Sequence, residues 1–139
     1  MAVEDLKQRI RDGEFIIGVS APITSTRDDL ARILDGGDYG FVSTDSQHSA
    51  FNEERLEQFC LAASKLGARV QFRIKHTRHS YLVGNLLDLG PAGVEVPQVE
   101  TLDTAQEAID YFYYPQKGKR SWGGANRYGI KGREDRLEY

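Results

Sequence analysis

With one cysteine, one methionine, one tryptophan and four prolines among 139 residues, the chain is short of most residues that mark a special class of protein. Its single cysteine, Cys60, excludes an internal disulfide. It falls in an apolar-periodic stretch over 56–66, where a buried thiol acts as a small hydrophobe, and this suits a reducing, cytoplasmic setting. No run reaches the roughly 18 apolar residues a membrane helix needs, and positions 1–12 mix acids and bases with no apolar signal-peptide core. A soluble chain without an export signal is expected. Positive charge never accumulates: 18 Lys and Arg are interspersed with 21 Asp and Glu for a net charge of -3, so no basic stripe exists to track a phosphate backbone. Nucleic acid is therefore not an expected partner. Low-complexity tracts and fixed-period repeats are also missing, which excludes a solenoid.

What is present is an alternation of short apolar runs with amphipathic stretches, the pattern of βαβ units around a parallel sheet. Four units can be traced. The strand 15–19 precedes a helix over about 26–34, opened by Ser25 with Asp28 three residues on and stopped by Gly36 and Gly37. The strand 39–44 precedes a longer helix after Asn52, a good N-cap followed by Glu53 and Glu54, and Gly67 closes it. The strand 69–74 leads to a helix around 81–89 with Leu82, Leu86 and Leu89 on one face, ended by Gly90 and Pro91. The strand 93–96 leads to a helix over about 103–111. Residues 1–130 form one domain in this reading, and the charged segment 131–139 is expected to be poorly ordered because it has no apolar face.

Four units fill about half of an eight-stranded β/α barrel, which takes roughly 200 residues or more. The expected fold class is thus α/β, a parallel barrel of the TIM type, incomplete, with the N-terminal half present. An open doubly wound sheet suits the length too, but its first strand usually runs into phosphate-binding glycines, and here that place reads Ser20-Ala21-Pro22-Ile23. An open half-barrel leaves two sheet edges unpaired, so self-association is expected of it.

In parallel β/α sheets the chemistry lies beyond the carboxyl ends of the strands. There the second strand ends Thr44-Asp45-Ser46-Gln47-His48, the third Arg73-Ile74-Lys75-His76, and the fourth Glu95-Val96-Pro97-Gln98. Strand alternation puts Gln71, Arg73 and Lys75 on one face. Each residue has a plainer reading beside the chemical one. A strand-end imidazole such as His48 is commonly a hydrogen-bonded structural group. Arg73 can serve an ion pair with Asp45 as readily as an anionic substrate. His76 and His79 have a metal-ligand spacing but read as solvated surface beside Arg78. Lys75 reads as a solvated strand-end lysine rather than a Schiff-base nucleophile. The run Tyr111-Phe112-Tyr113-Tyr114 reads as a packed helix end.

Taken in order, these pieces resemble the metal-dependent HpcH/HpaI aldolases. The family's Asp-x-Glu-His is matched by Asp45-Ser46-Gln47-His48 with Gln47 in place of Glu, and its Arg at the third strand end by Arg73. Its Leu-Leu-Asp-x-Gly is matched by Leu86-Leu87-Asp88-Leu89-Gly90, and Val-Pro-x-Val by Val96-Pro97-Gln98-Val99. The family's Tyr-Pro-Pro-x-Gly-x-Arg-Gly is met by the segment 114–121, where Gln116 and Ser121 replace a Pro and a Gly. Ile74 stands where many members have Pro.

The resemblance implies retro-aldol cleavage of a 4-hydroxy-2-oxo acid to pyruvate and an aldehyde, a lyase reaction assisted by a divalent metal such as Mg²⁺ or Mn²⁺ acting as Lewis acid. It implies that Arg73 stabilises the enolate oxygen and binds substrate, that His48 is the general base, and that Asp88 orients the imidazole, with Asp45 and Gln47 in support. The partners it implies are a small 2-oxo acid, an aldehyde and further copies of the chain. The family's metal-binding Glu and Asp belong to later barrel strands, so no metal ligand is assigned here, and Glu95 and Glu100 are not relabelled as ligands. Three rivals stand beside this reading: an inactive fragment, a non-enzymatic open-sheet binding module, and a Schiff-base aldolase using Lys75.

Overall fold

The computed structural model describes residues 6–123; the charged tail 131–139 and much of the Gly-rich stretch before it lie outside the described residues. Its elements, in chain order, are α1 (Leu6–Arg11), β1 (Gly18–Ser20), α2 (Arg27–Leu34), β2 (Phe41–Asp45), α3 (Glu53–Lys65), β3 (Val70–Arg73), a 3₁₀ helix (Thr77–Leu82) that continues into α4 (Val83–Leu87), β4 (Gly93–Glu95) and α5 (Leu102–Phe112). The strands form one sheet in the order β1-β2-β3-β4, every neighbouring pair parallel. Consecutive strands are spatial neighbours, as the half-barrel requires and a doubly wound sheet with a central first strand does not.

Strand alternation divides the side chains between two environments. Val42, Val70 and Phe72 point to the helical layer and are buried with Leu30, Leu56, Phe59, Ala63 and Leu86 in one core. Ser43, Asp45, Gln71 and Arg73 alternate with them on the opposite face, which no helix covers among the described residues. Cys60 lies within the core, where burial first, and then the nearby charge of Glu57, pushes its thiol up to about 12. It is a packing residue with almost no thiolate at neutral pH.

Local chemistry sets the element ends. Thr26, not Ser25, caps α2: its hydroxyl accepts from the Asp29 amide while the Asp29 carboxylate accepts from the Thr26 amide, a reciprocal capping box one residue later than the sequence pattern suggests. Asn52 caps α3 as expected, accepting from the Arg55 amide at 2.8 Å. Gly67 ends α3 at φ 75°, and Gly90 adopts φ 115° after α4, conformations that a side chain disfavours. The helix expected over 81–89 is shorter and begins as a 3₁₀ turn from Thr77, capped by His76, whose Nδ1 accepts from the Arg78 amide at 3.1 Å. The first strand starts at Gly18 rather than at residue 15, and Phe15 is 89% exposed. Helix α1 has no buried residue, which is why apolar periodicity does not reveal it.

Candidate active site

A row of polar side chains crosses the uncovered face of the sheet at the carboxyl ends of the strands. Ser20 and Ser43 share a hydrogen bond of 2.9 Å between their hydroxyls. Arg73 then donates to Asp45 through two parallel bonds, Nε to Oδ1 and Nη2 to Oδ2, each 2.9 Å. On its far side Arg73 Nη1 lies 3.7 Å from Glu95 Oε1, and Gln71 Nε2 donates to Glu95 Oε2 at 3.5 Å. These groups line a cavity of about 440 Å³ together with Ala21, Pro22 and Ile23.

Asp45 holds the row together. Besides Arg73 it accepts from the backbone amides of Gln47 at 2.8 Å and His48 at 3.3 Å, so its carboxylate also shapes the turn after β2. The Arg73 hydrogen bonds, aided by the Gln47 and His48 amides and opposed by partial burial, bring the Asp45 pKa down to about 2. The same pairing raises the pKa of Arg73. Both groups are therefore charged at neutral pH. Ser46, fully buried, ties the turn to β3 by donating its hydroxyl to the Arg73 carbonyl at 2.7 Å.

The expected site residues are only partly brought together. Asp45 and Arg73 meet, in the ion pair that competes with the substrate-binding reading, and Gln47 joins them through its backbone. His48 is exposed; only its backbone amide contacts Asp45, and its side chain does not line the cavity. Asp88, at the end of α4, accepts instead from Arg120 Nη2 at 2.7 Å, and among the described residues no hydrogen bond joins Asp88 to His48. Lys75 is exposed, and no group of three His, Cys, Asp or Glu that could hold a metal occurs among the described residues. Three participants are not singled out by the sequence: Ser20 and Ser43, which the alternation that marks Gln71 and Arg73 also places on this face, and Arg120. The Arg120 guanidinium is 1% exposed, stacks 4.5 Å from the Tyr114 ring centroid and pairs with Asp88.

A parallel β/α sheet with consecutive strands adjacent and its charged side chains gathered at the strand ends is the front part of a β/α barrel. No family model matches the chain. It is 26% identical over 119 residues to a hydroxypyruvate/pyruvate aldolase of Roseobacter denitrificans, covering 86% of this chain and 45% of that protein. Among solved structures it superposes on an HpcH/HpaI aldolase from Desulfitobacterium hafniense with a TM-score of 0.71 at 26% identity, over 86% of this chain and 45% of that one. It also superposes on the citrate synthase SbnG with a TM-score of 0.74 at 26% identity, over 85% and 47% respectively. The relatives and structural neighbours are members of the HpcH/HpaI aldolase/citrate lyase family, and this chain matches their N-terminal portion. It spans about 45% of the length of the curated relative.

Proposed function

We propose that this chain carries the substrate-anion side of a 2-oxo-acid aldolase site, for a retro-aldol reaction that splits a 4-hydroxy-2-oxo acid into pyruvate and an aldehyde. The observation that carries the reading is the position of Arg73: a permanently charged, part-exposed guanidinium in the mouth of a parallel β/α sheet, held from one side by Asp45. That bidentate pair uses Nε and Nη2. Nη1 lies 3.7 Å from Glu95, beyond hydrogen-bond length, and among the described residues it makes no hydrogen bond, so it is the donor we assign to a substrate carboxylate or a developing enolate oxygen. The likeness to a hydroxypyruvate/pyruvate aldolase and to an HpcH/HpaI aldolase supports the substrate class.

His48 is the group we assign as general base, because the turn anchored by Asp45 holds its backbone at the same rim as Arg73. The resemblance assigns Asp88 to orient that imidazole, but here its carboxylate pairs with Arg120 and makes no hydrogen bond to His48 among the described residues, so His48 is proposed without an orienting carboxylate. A divalent metal would supply Lewis-acid polarisation of the 2-oxo acid in the whole barrel. The described residues do not fit such an ion by themselves, since Asp45 is committed to Arg73 and no three-ligand cluster exists among them. The single buried thiol suits a cytoplasmic home, and the open sheet suits a homo-oligomer.

Binding tests this reading more directly than turnover does. Pyruvate titrated into the ¹⁵N-labelled chain should shift the amides of Asp45, Ser46 and Arg73 saturably, with acetate much weaker, and Arg73→Met should abolish the response. Shifts that do not saturate, or that persist unchanged in Arg73→Met, would overturn it.

A further inference from the structure

Asp45, Arg73 and Glu95 are the last residues of three neighbouring strands and stand in register, Asp45 opposite Arg73 and Arg73 opposite Glu95. Backbone bonds just beyond them, from the Ser46 amide to the Arg73 carbonyl at 3.1 Å and from the Ile74 amide to the Glu95 carbonyl at 3.0 Å, carry that register past the strand ends. The guanidinium is therefore flanked by a carboxylate on each side, yet the two flanks differ. Asp45 is a bidentate partner that also anchors a turn. Glu95 holds Oε1 3.7 Å from Nη1, while its Oε2 accepts from Gln71 at 3.5 Å, and its side chain is 47% exposed. A pair so long and so exposed contributes little to stability. Its charge still reaches Arg73. The raised pKa of the guanidinium comes first from the Asp45 hydrogen bonds, with the charges of Asp45 and Glu95 adding to them against the cost of burial. Among the described residues that line the cavity there are one cation and two carboxylates, so negative charge is in excess beside the donor that a substrate anion needs.

We propose that Glu95 is a specificity-determining residue of this site: its carboxylate competes for Arg73 Nη1, and so admits a monocarboxylate such as pyruvate while turning away small dianions. The proposal rests on the reading of Arg73 as the anion-binding group. A carboxylate that takes the Nη1 donor must settle beside Glu95, and two like charges about 4 Å apart in water-like surroundings cost about fivefold in affinity. Pyruvate meets that repulsion once. Oxalate brings a second carboxylate into the same field, so its penalty is larger, up to about the square of that factor. With no close hydrogen bond to Arg73, the half-exposed Glu95 side chain can swing toward solvent for a single carboxylate, whereas the doubly bonded Asp45 cannot. At the far end of the row Ser20 and Ser43 offer hydroxyls and no positive charge, so nothing among the described lining residues offsets a second negative charge.

Pyruvate and oxalate titrated separately into the ¹⁵N-labelled full chain at neutral pH, read at the amides of Asp45, Ser46 and Arg73, test this on the wild type and two variants. Glu95→Gln, which removes the charge and keeps the shape, should bind pyruvate about fivefold more tightly than the wild type and oxalate about tenfold or more. Glu95→Asp, which keeps the charge, should stay close to the wild type for both anions. Circular dichroism and the urea midpoint should match across the three proteins, because the Arg73–Glu95 pair is too long and too exposed to hold the fold. Equal affinities for the wild type and Glu95→Gln, an equal gain for the two anions, or Glu95→Asp behaving like Glu95→Gln would each overturn the proposal and leave Arg73 as an anion site. A saturable response to neither anion in any of the three proteins would overturn it together with the aldolase reading on which it rests.

Discussion

Asp45 makes two bonds to Arg73 and two to the backbone of the following turn, so one carboxylate fixes both a charge and a loop. Its folded-state pKa of about 2 lies below the roughly 3.9 of a free aspartate. The sign of the linkage follows. Stability from this group is fully present above pH ~4 and is lost as the pH falls through about 2. The paired side chains are 32% and 28% exposed, so solvent screens them and the contribution is on the order of 1 kcal/mol or less. Asp45→Asn should accordingly show a shallower loss of urea-midpoint stability between pH 5 and 2 than the wild type (~1 kcal/mol at most between them). Parallel pH profiles for the two proteins would contradict this account. The pair itself was legible in the sequence as one of two readings of Arg73, since an arginine in a strand needs an anion. The partner of Asp88 was not legible, because Arg120 lies 32 residues further on and nothing in local spacing brings them together.

Elements with strong periodicity or strong caps were read nearly in full; those without either were not. Asn52 and Gly67 bound α3 as the sequence indicates, because the cap and the left-handed stop are local chemistry. Helix α1 escaped because it has no buried face, and the 3₁₀ helix before α4 escaped because such a turn lacks the 3.6-residue period. Within α4, Gly84 is tightly constrained. A Cβ there would lie 2.6 Å from Arg120 Cγ and 2.8 Å from the Tyr111 carbonyl oxygen, and the latter is backbone that cannot easily give way. Gly84→Ala should therefore destabilise the protein by ~1–3 kcal/mol through overpacking, despite the better helix propensity of alanine. Chemical denaturation checks this, and a variant as stable as the wild type would show that Arg120 and α5 can move aside.

At the scale of the whole molecule, the sheet order, the one-sided helical layer and the polar mouth all describe the first four units of a β/α barrel. The alternation of apolar runs made that architecture readable, whereas the state of the two edges depends on what lies against them and could not be read locally. The central claim is that the mouth carries part of an aldolase site and not its metal-binding complement. It is tested most directly by assaying pyruvate release from a 4-hydroxy-2-oxo acid by this chain, with Mg²⁺ or Mn²⁺ and again with a chelator. The account predicts no release above buffer in either condition, because Asp45 is held by Arg73 and the described residues offer no ligand cluster. Release that the chelator abolishes would contradict it, by showing that this chain assembles a complete metal site.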